Sequence, residues 1–323
     1  MSPLLRSDDG WMTTRMPCIR VPLEMKMPWK QLIGPLRPLA ADAGLEAWFR
    51  EVCEGADTDP FSLAVSGGRL ASTPGLAFLS GYQAALRALW PDAPPGLGAL
   101  CTTERRRLRP ADMATRWDDG HLSGRKDFVT AGDAVRWLLV SAREEVPDES
   151  PQLGLFVIEP AAAGVSLMPG PPLPIVPDIA HGCLRLEQAV GTRLPGDGWS
   201  DYVKPFRTYE DMYVLAAMTA WLYGVCLQQN GPRSLLLRLL GILAGAAEVT
   251  RLPANEPATH LLLAGLLEQF GALQPELDVA FLAAESPRAA QWQRDRGVLG
   301  LAVQAQARRL DKAVAALGVG EKV

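Results

Sequence analysis

A run of basic side chains is a chemically distinctive feature of this 323-residue chain. Four arginines lie within residues 105–109, interrupted only by Leu108. Guanidinium groups bind phosphate through charge and through paired hydrogen bonds, so this segment could hold an anionic ligand. A run of charge is equally typical of a solvated turn. The sequence leaves both interpretations open.

The cysteines and histidines indicate no metal centre. Five cysteines are scattered along the chain without C-x-x-C spacing, and His121, His181 and His260 stand far apart. Structural and catalytic zinc sites use ligands at short, characteristic spacings, which are absent here. An odd number of dispersed cysteines is typical of a reducing compartment. Because the chain shows no apolar leader with a small-residue cleavage site, we expect a cytoplasmic protein.

The bulk composition argues against several functional classes. Hydrophobic residues make up 48% of the chain and charged residues 21%, which is typical of folded globular proteins. A formal net charge of −4 provides no overall basic field for nucleic acid or an anionic membrane. The longest nearly uninterrupted apolar run, at 239–247, is too short to cross a bilayer. We therefore expect neither a nucleic-acid partner nor a membrane span.

The spacing of apolar residues predicts three domains, at 1–92, 93–196 and 197–323. The first shows helical periodicity at 28–53 and 74–90, which predicts a short helical domain. Residues 57–74 between these helices are rich in Gly, Pro, Ser and Asp and are predicted to form a connection.

The middle domain contains short apolar segments separated by polar turns, a pattern typical of β-strands. These segments lie at 99–103, 114–117, 120–130, 135–142, 154–158, 164–167 and 184–190. They predict a small antiparallel sandwich or barrel. The last domain returns to helical spacing, with predicted helices at 205–229, 232–251, 254–270 and 287–317. Four helices of this length predict an antiparallel four-helix bundle.

One segment of the middle domain has the order of a known motif. Its residues are Gly124, Lys126, Phe128, Val129, Thr130 and Ala134, followed by an apolar strand. This order resembles the middle β-domain of the acyl-CoA dehydrogenase family, whose pattern is roughly G-x-K-x-W-I-T followed by A-D-x-x-L-V. The resemblance implies a multi-domain α+β fold of N-terminal helices, a β-domain and a helical bundle, with FAD as cofactor. The family's aromatic and threonine lie beside the flavin, which makes Phe128, Val129 and Thr130 candidate cofactor-binding residues, with Trp137 a further neighbour.

A second segment occupies the place of the family's strand ending T-E-P-x-A-G-S-D. Cys101, Thr102 and Thr103 precede Glu104 there, and the resemblance makes these first three residues candidates for binding FAD. The family's Gly-Ser turn, which presents hydrogen-bond donors to the flavin pyrophosphate, is replaced by the arginine run. Within that run, Arg109 is a candidate substrate-binding residue.

The stretch 204–214 resembles the start of the helix on which one branch of the family carries its catalytic glutamate. That branch acts on isovaleryl-type and long-chain thioesters. The resemblance implies that Glu210 removes the proton α to a thioester carbonyl, and partial desolvation would raise its pKa toward the working pH. The alternative is a solvated acid in the helix's first turn, stabilised by the helix dipole. Asp211 stands where the family commonly has an arginine that meets CoA, so Arg207 is a candidate substitute for binding substrate.

The resemblance as a whole implies an acyl-CoA dehydrogenase-like flavoenzyme. It would act on an acyl-CoA-like thioester, pass electrons to a separate acceptor and form a homodimer or homotetramer. The C-terminal flavin motifs of the family, Arg-x-x-Phe-Gly and Gly-Gly-x-Gly, are not found at the expected places. Two alternatives therefore stay open: a non-catalytic partner or scaffold subunit, and a flavin-dependent monooxygenase of the same fold that does not need Glu210.

Overall fold

The computed structural model describes residues 36–57, 59–107, 109–145, 149–283 and 287–319. The helices are α1 (Leu45–Gly55), α2 (Pro60–Leu70), α3 (Pro74–Leu89), α4 (Lys204–Gln228), α5 (Arg233–Val249), α6 (Pro257–Ala283), α7 (Pro287–Asp295) and α8 (Val303–Leu317). The strands are β1 (Gly98–Cys101), β2 (Arg116–Asp118), β3 (His121–Thr130), β4 (Trp137–Arg143), β5 (Leu153–Ile158), β6 (Val165–Pro169), β7 (His181–Val190) and β8 (Thr192–Arg193). The predicted order of helices, sheet and helices is therefore confirmed. The part of the first predicted helical segment before residue 36 lies outside the described residues.

Helix α2 was not expected, because its segment was predicted to be a connection. Asp59 caps this helix, since the Ser62 backbone N–H donates to Asp59 Oδ1 at 3.0 Å, and a proline occupies the first helical position. Two glycines lower the helix propensity of the segment and obscure its period. The packing explains why glycine is required: a Cβ at Gly68 would lie 2.2 Å from the carbonyl oxygen of Ala217 on α4. The close approach of α2 and α4 thus depends on Gly68, a residue type that makes the helix harder to predict from the sequence.

The strands form one sheet in the order β6-β7-β3-β2-β4-β5-β8, with β1 beside β4. Each predicted strand segment overlaps a strand of this sheet. The expectation of a purely antiparallel arrangement is wrong for two strand pairs, because β1 and β2 both pair with β4 in parallel. The alternation of apolar and polar side chains in the sequence does not indicate whether two strands pair in parallel. A parallel pair needs a long crossover connection, and the segment that contains β2 and β3 forms that connection between β1 and β4.

Trp137 on β4 is a core residue. It is 2% exposed and lies against Gly98 of β1, where a Cβ would come within 2.2 Å of the indole ring. It also makes an edge-on contact with Trp90 at the end of α3. The sequence-based idea that Trp137 neighbours a flavin is therefore wrong, because the ring fills the space between the sheet and α3.

Helix α4 runs through the centre of the helical part of the molecule. All its residues from 211 to 226 are buried, so it is covered by neighbouring helices on every side. Its Trp221 packs with Phe281 of α6 and Trp292 of α7, so Trp292 is a packing residue of the helical core.

The C-terminal helices differ from the prediction in two respects. Helix α6 continues to Ala283, through Pro275, and is much longer than predicted. The predicted helix at 287–317 is broken into α7, a 3₁₀ turn at Val298–Gly300 and α8. Glycines at 297 and 300 lower helix propensity at the break. In the described part of the chain, no helix is both long and apolar enough to cross a lipid bilayer.

Candidate functional site

A pocket of about 230 Å³ lies where α3, the end of β1, β3, β7 and the start of α4 meet. Six residues proposed from the sequence line it: Thr102, Thr103, Phe128, Thr130, Arg207 and Glu210. We refer to it as the Glu210 pocket. Residues from three distant parts of the sequence thus converge on one concave surface, which is the usual form of a small-molecule site.

The alternation of β3 decides which of its residues reach the pocket. Phe128 and Thr130 line it and Phe128 is 37% exposed, whereas Val129 between them is fully buried on the other face of the strand. Cys101 is also fully buried, and burial raises the pKa of its thiol to about 12. The side chains of Val129 and Cys101 therefore belong to the core, and any contact of theirs with a ligand would be made by the backbone.

Glu210 lies in the second turn of α4 and is partly buried at the pocket wall. Burial raises the pKa of its carboxyl group to about 7, because a carboxylate is poorly solvated there. The neighbouring charge of Asp211 raises it further, while Arg207 and Arg309 oppose the shift. A carboxyl group with this pKa can both accept and release a proton near neutral pH.

Asp211 does not line the pocket, although it follows Glu210 directly. Its Oδ1 accepts a hydrogen bond from Gln306 Nε2 at 2.9 Å, and its Oδ2 forms an ion pair with Arg309. Both partners belong to α8. Burial raises the pKa of Asp211, and Arg309 counteracts this effect. The acidic residue at this position therefore holds α8 against α4.

The arginine run forms an exposed turn. Arg105 and Arg106 have φ angles of 49° and 61°, and the turn is closed by backbone hydrogen bonds of 3.0 and 2.8 Å between Glu104 and Arg107. Arg109 is exposed and is not among the residues that line the pocket. This geometry fits the solvated turn, so a ligand-binding role for Arg109 stays a prediction.

Glu104 turns away from the basic turn and into the β-domain. Lys126 Nζ donates to Glu104 Oε1 at 2.6 Å, and the Ala114 backbone N–H donates to Glu104 Oε2, also at 2.6 Å. Burial would raise the pKa of Glu104, but Lys126 holds it below its ordinary value. The Thr-Glu and Gly-x-Lys elements of the two motifs are thus joined by a buried ion pair in this chain.

Sequence reasoning did not identify Tyr82 and His181 as pocket residues. Tyr82 accepts a hydrogen bond from the Leu100 backbone N–H at 2.9 Å, and its ring contacts Phe206 edge-on at 5.5 Å between centroids. Burial raises the pKa of Tyr82 well above its ordinary value. His181 begins β7 and pairs with Thr130. Their positions depend on helix packing and strand pairing, for which the local sequence gives no signal.

A larger cavity of about 820 Å³ lies near the end of α3 and the loop after α5. Tyr209 and Tyr213 of α4 line it, together with Arg87 and Cys53. None of the residues proposed from the sequence lies in it. We assign the site to the Glu210 pocket despite its smaller volume, because a carboxyl group able to titrate near neutral pH faces hydroxyl and aromatic side chains there. Among the described residues, no three His, Cys, Asp or Glu are grouped closely enough to hold a metal ion.

Comparison with known proteins finds no matching family model and no similar sequence among curated proteins. Solved structures do match over most of the chain. The FAD complex of PigA is 13% identical with a TM-score of 0.61, covering 90% of this chain and 92% of that one. Butyryl-CoA dehydrogenase from Megasphaera elsdenii is 14% identical with a TM-score of 0.58, covering 80% and 82%.

A third structure, described as FkbI for biosynthesis of the methoxymalonyl extender unit of a polyketide, is 17% identical. Its TM-score is 0.56, and the match covers 88% of this chain and 90% of that one. The chain therefore has the acyl-CoA dehydrogenase fold, as its motifs predicted. At these identities the comparison shows the fold alone.

Proposed function

We propose that this protein is a flavin-dependent oxidoreductase that dehydrogenates an acyl thioester between its α and β carbons. The observation that carries the proposal is Glu210, whose pKa is raised to about 7 at the wall of a pocket shared with Phe128 and Thr130. A base that removes a weakly acidic C–H proton must be close to the substrate and poorly solvated. Glu210 lies at the wall of the pocket that would receive the substrate, and its raised pKa reflects poor solvation there.

The residues of the pocket fit a flavin ring. Phe128 offers an aromatic surface that is 37% exposed, and Thr102, Thr103 and Thr130 offer hydroxyl groups that can donate or accept hydrogen bonds. An apolar face with a few polar groups is what a planar heteroaromatic ligand requires. FAD, the cofactor in the similar PigA complex, would supply the hydride acceptor when bound.

The protein's own part in the reaction is to bind the thioester and to move one proton. The Glu210 carboxylate takes the proton from the carbon next to the thioester carbonyl, and a pKa near the working pH allows it to release that proton afterwards. Arg207 lies one turn earlier on the same wall and favours the ionised form of Glu210. Phe78, Leu173 and Phe206 contribute apolar side chains to the same wall.

The test is anaerobic reduction of the FAD-loaded protein by a series of acyl-CoA thioesters. Reduction is monitored as the loss of the flavin's visible absorption. The wild-type protein should be reduced by at least one thioester, and Glu210→Gln should slow reduction by about 100-fold or more while FAD stays bound. Glu268→Gln removes an exposed carboxylate from α6 and is the matched control, which should react at the wild-type rate.

Two other results would favour a different function. Oxygen-dependent turnover that is insensitive to Glu210→Gln would indicate a monooxygenase of this fold. A protein that takes up no FAD and reduces nothing would indicate a non-catalytic partner subunit. Reduction of the Glu210→Gln variant at the wild-type rate would refute the role of Glu210.

A further inference from the structure

A histidine in the Glu210 pocket has a chemical role that the motifs do not assign. Resting on the flavin function proposed above, we propose that His181 contacts the bound ligand through Nε2, which accepts a hydrogen bond from an N–H or O–H group of that ligand. His181 lines the same pocket as Glu210 and Phe128. Its strand partner in the sheet is Thr130, at the end of β3.

The hydrogen bond of the other ring nitrogen fixes the tautomer. His181 Nδ1 lies 2.8 Å from the carbonyl oxygen of Ile179. A carbonyl oxygen can only accept, so Nδ1 carries the hydrogen and donates it. In the neutral ring Nε2 then has a free lone pair. Burial lowers the pKa of His181, which favours the neutral ring. Within the described residues, Nε2 has no hydrogen-bond partner.

The loop that carries the Ile179 carbonyl is held at both of its ends. The Gly170 backbone N–H donates to the His181 carbonyl at 2.8 Å, and the Ile179 N–H donates to the Val176 carbonyl at 3.0 Å. The Val176 N–H in turn donates to Asp295 Oδ1 at 2.8 Å. Asp295 is fully buried at the end of α7. The imidazole is therefore attached to a fixed backbone, which preorganises Nε2 before a ligand binds.

The other polar side chains of the pocket show what His181 adds. Arg207 can only donate hydrogen bonds, and Glu210 accepts them as a charged group when it is ionised. The hydroxyl groups of Thr102, Thr103 and Thr130 can either donate or accept. A neutral His181 ring whose Nδ1–H is already bound to Ile179 can only accept at Nε2, so it requires a hydrogen-bond donor on the ligand. Two parts of the proposed ligands carry such a donor. One is the imide N–H of the flavin ring, and the other is an amide N–H of the thioester's pantetheine arm.

Two variants separate the ligand contact from the structural contact. In His181→Asn the side-chain amide can still donate to the Ile179 carbonyl but does not reach the position of Nε2. In His181→Gln the longer side chain can place its amide oxygen near that position. We expect His181→Asn to weaken ligand binding by about three- to tenfold, the effect of one lost hydrogen bond. His181→Gln should restore most of the loss. A structural role alone would not produce this order, because Asn keeps the inner contact.

The probes are FAD, N3-methyl FAD, which lacks the imide hydrogen, and butyryl-CoA or the longer acyl-CoA that reduces the wild-type flavin fastest. If the flavin is the donor, His181→Asn raises the Kd of FAD, and N3-methylation weakens binding to the wild type much more than to the variant. If the thioester is the donor, FAD binds both proteins equally and the Kd of the acyl-CoA rises. A thermal melt confirms that each variant is folded.

The inference is overturned if the wild type binds FAD and a folded His181→Asn variant binds FAD and acyl-CoA just as tightly. That result would leave the proposed function standing. If the Asn variant does not fold, N3-methyl FAD and the Gln variant decide the question. The inference is also overturned if the wild type binds both flavins equally and His181→Gln binds FAD and acyl-CoA as weakly as His181→Leu does. A wild type that binds no FAD refutes the proposed function instead.

Discussion

Replacing Glu210 by Gln should stabilise the folded protein, and the gain should depend on pH. Burial raises the pKa of this carboxyl group from an ordinary 4.5 to about 7. The folded state therefore holds the proton more tightly than the unfolded state. Below about pH 4.5 Glu210 is protonated in both states, and its pKa shift does not reduce the free energy of unfolding. As the pH rises to about 7, the free energy of unfolding falls, because the group ionises readily in the unfolded state but poorly where it is buried. Gln cannot ionise, so it avoids this loss.

The size of the effect follows from the shift. At about 1.4 kcal/mol per pKa unit, the difference between the two pKa values corresponds to at most about 3.5 kcal/mol. Glu210 keeps part of its surface in contact with solvent, which screens the penalty. We therefore expect Glu210→Gln to raise the free energy of unfolding by about 2 kcal/mol above about pH 8, and by almost nothing near about pH 4.5.

The assay is urea unfolding of the FAD-free protein over this pH range. The wild type, Glu210→Gln and the control Glu268→Gln are compared at each pH, since Glu268 is an exposed acid on another helix. The difference between Glu210→Gln and the wild type should grow with pH, and the control should show no such trend. A Glu210→Gln variant that is equally stable at all pH values, or less stable at high pH, would refute the assignment of Glu210 as a buried acid with a raised pKa.

Three other predictions concern the same site and its support. The rate of flavin reduction should rise with pH through about 7, because the Glu210 base must be ionised, and a flat profile would contradict this. Arg309→Gln leaves the buried Asp211 carboxylate without its ion pair, so chemical unfolding should show a loss of about 2 kcal/mol or more, concentrated above the pKa of Asp211. Lys126→Met should lower the free energy of unfolding by about 3–5 kcal/mol in the same assay, because Glu104 stays buried and unpaired. Replacing both Lys126 and Glu104 by apolar residues should recover much of this loss. An equal loss in the single and double variants would contradict the idea that the unpaired charge is the cause.

The sequence predicted those features that depend on local period. The predicted strand at 120–130 is present as β3, and its alternation places Phe128 and Thr130 on the pocket face and Val129 on the other. The same argument explains why the motif-based assignment of the Val129 side chain to the cofactor is weaker than that of its neighbours. Periodicity also located α4 to within one residue at each end.

Features that depend on distant contacts could not be predicted in this way. Asp211 stands where the family commonly has an arginine, and nothing nearby in the sequence indicates its partner. That partner, Arg309, is 98 residues away and reaches Asp211 because α8 packs against α4. His181 enters the pocket because β7 pairs with β3 in a register that no local pattern specifies. Helix α2 was missed because the glycine at 68 that its packing requires also lowers its helix propensity.

The proposed function requires that the Glu210 pocket holds a flavin although parts of the cofactor motifs of the acyl-CoA dehydrogenase family are replaced. The visible absorption spectrum of the purified protein is recorded before FAD is added and again after free FAD is removed by gel filtration. We expect a flavin spectrum at close to one FAD per chain, and weaker retention when Phe128 or Thr130, which line the pocket, is replaced by Ala. A colourless protein that retains no FAD would contradict the proposed function.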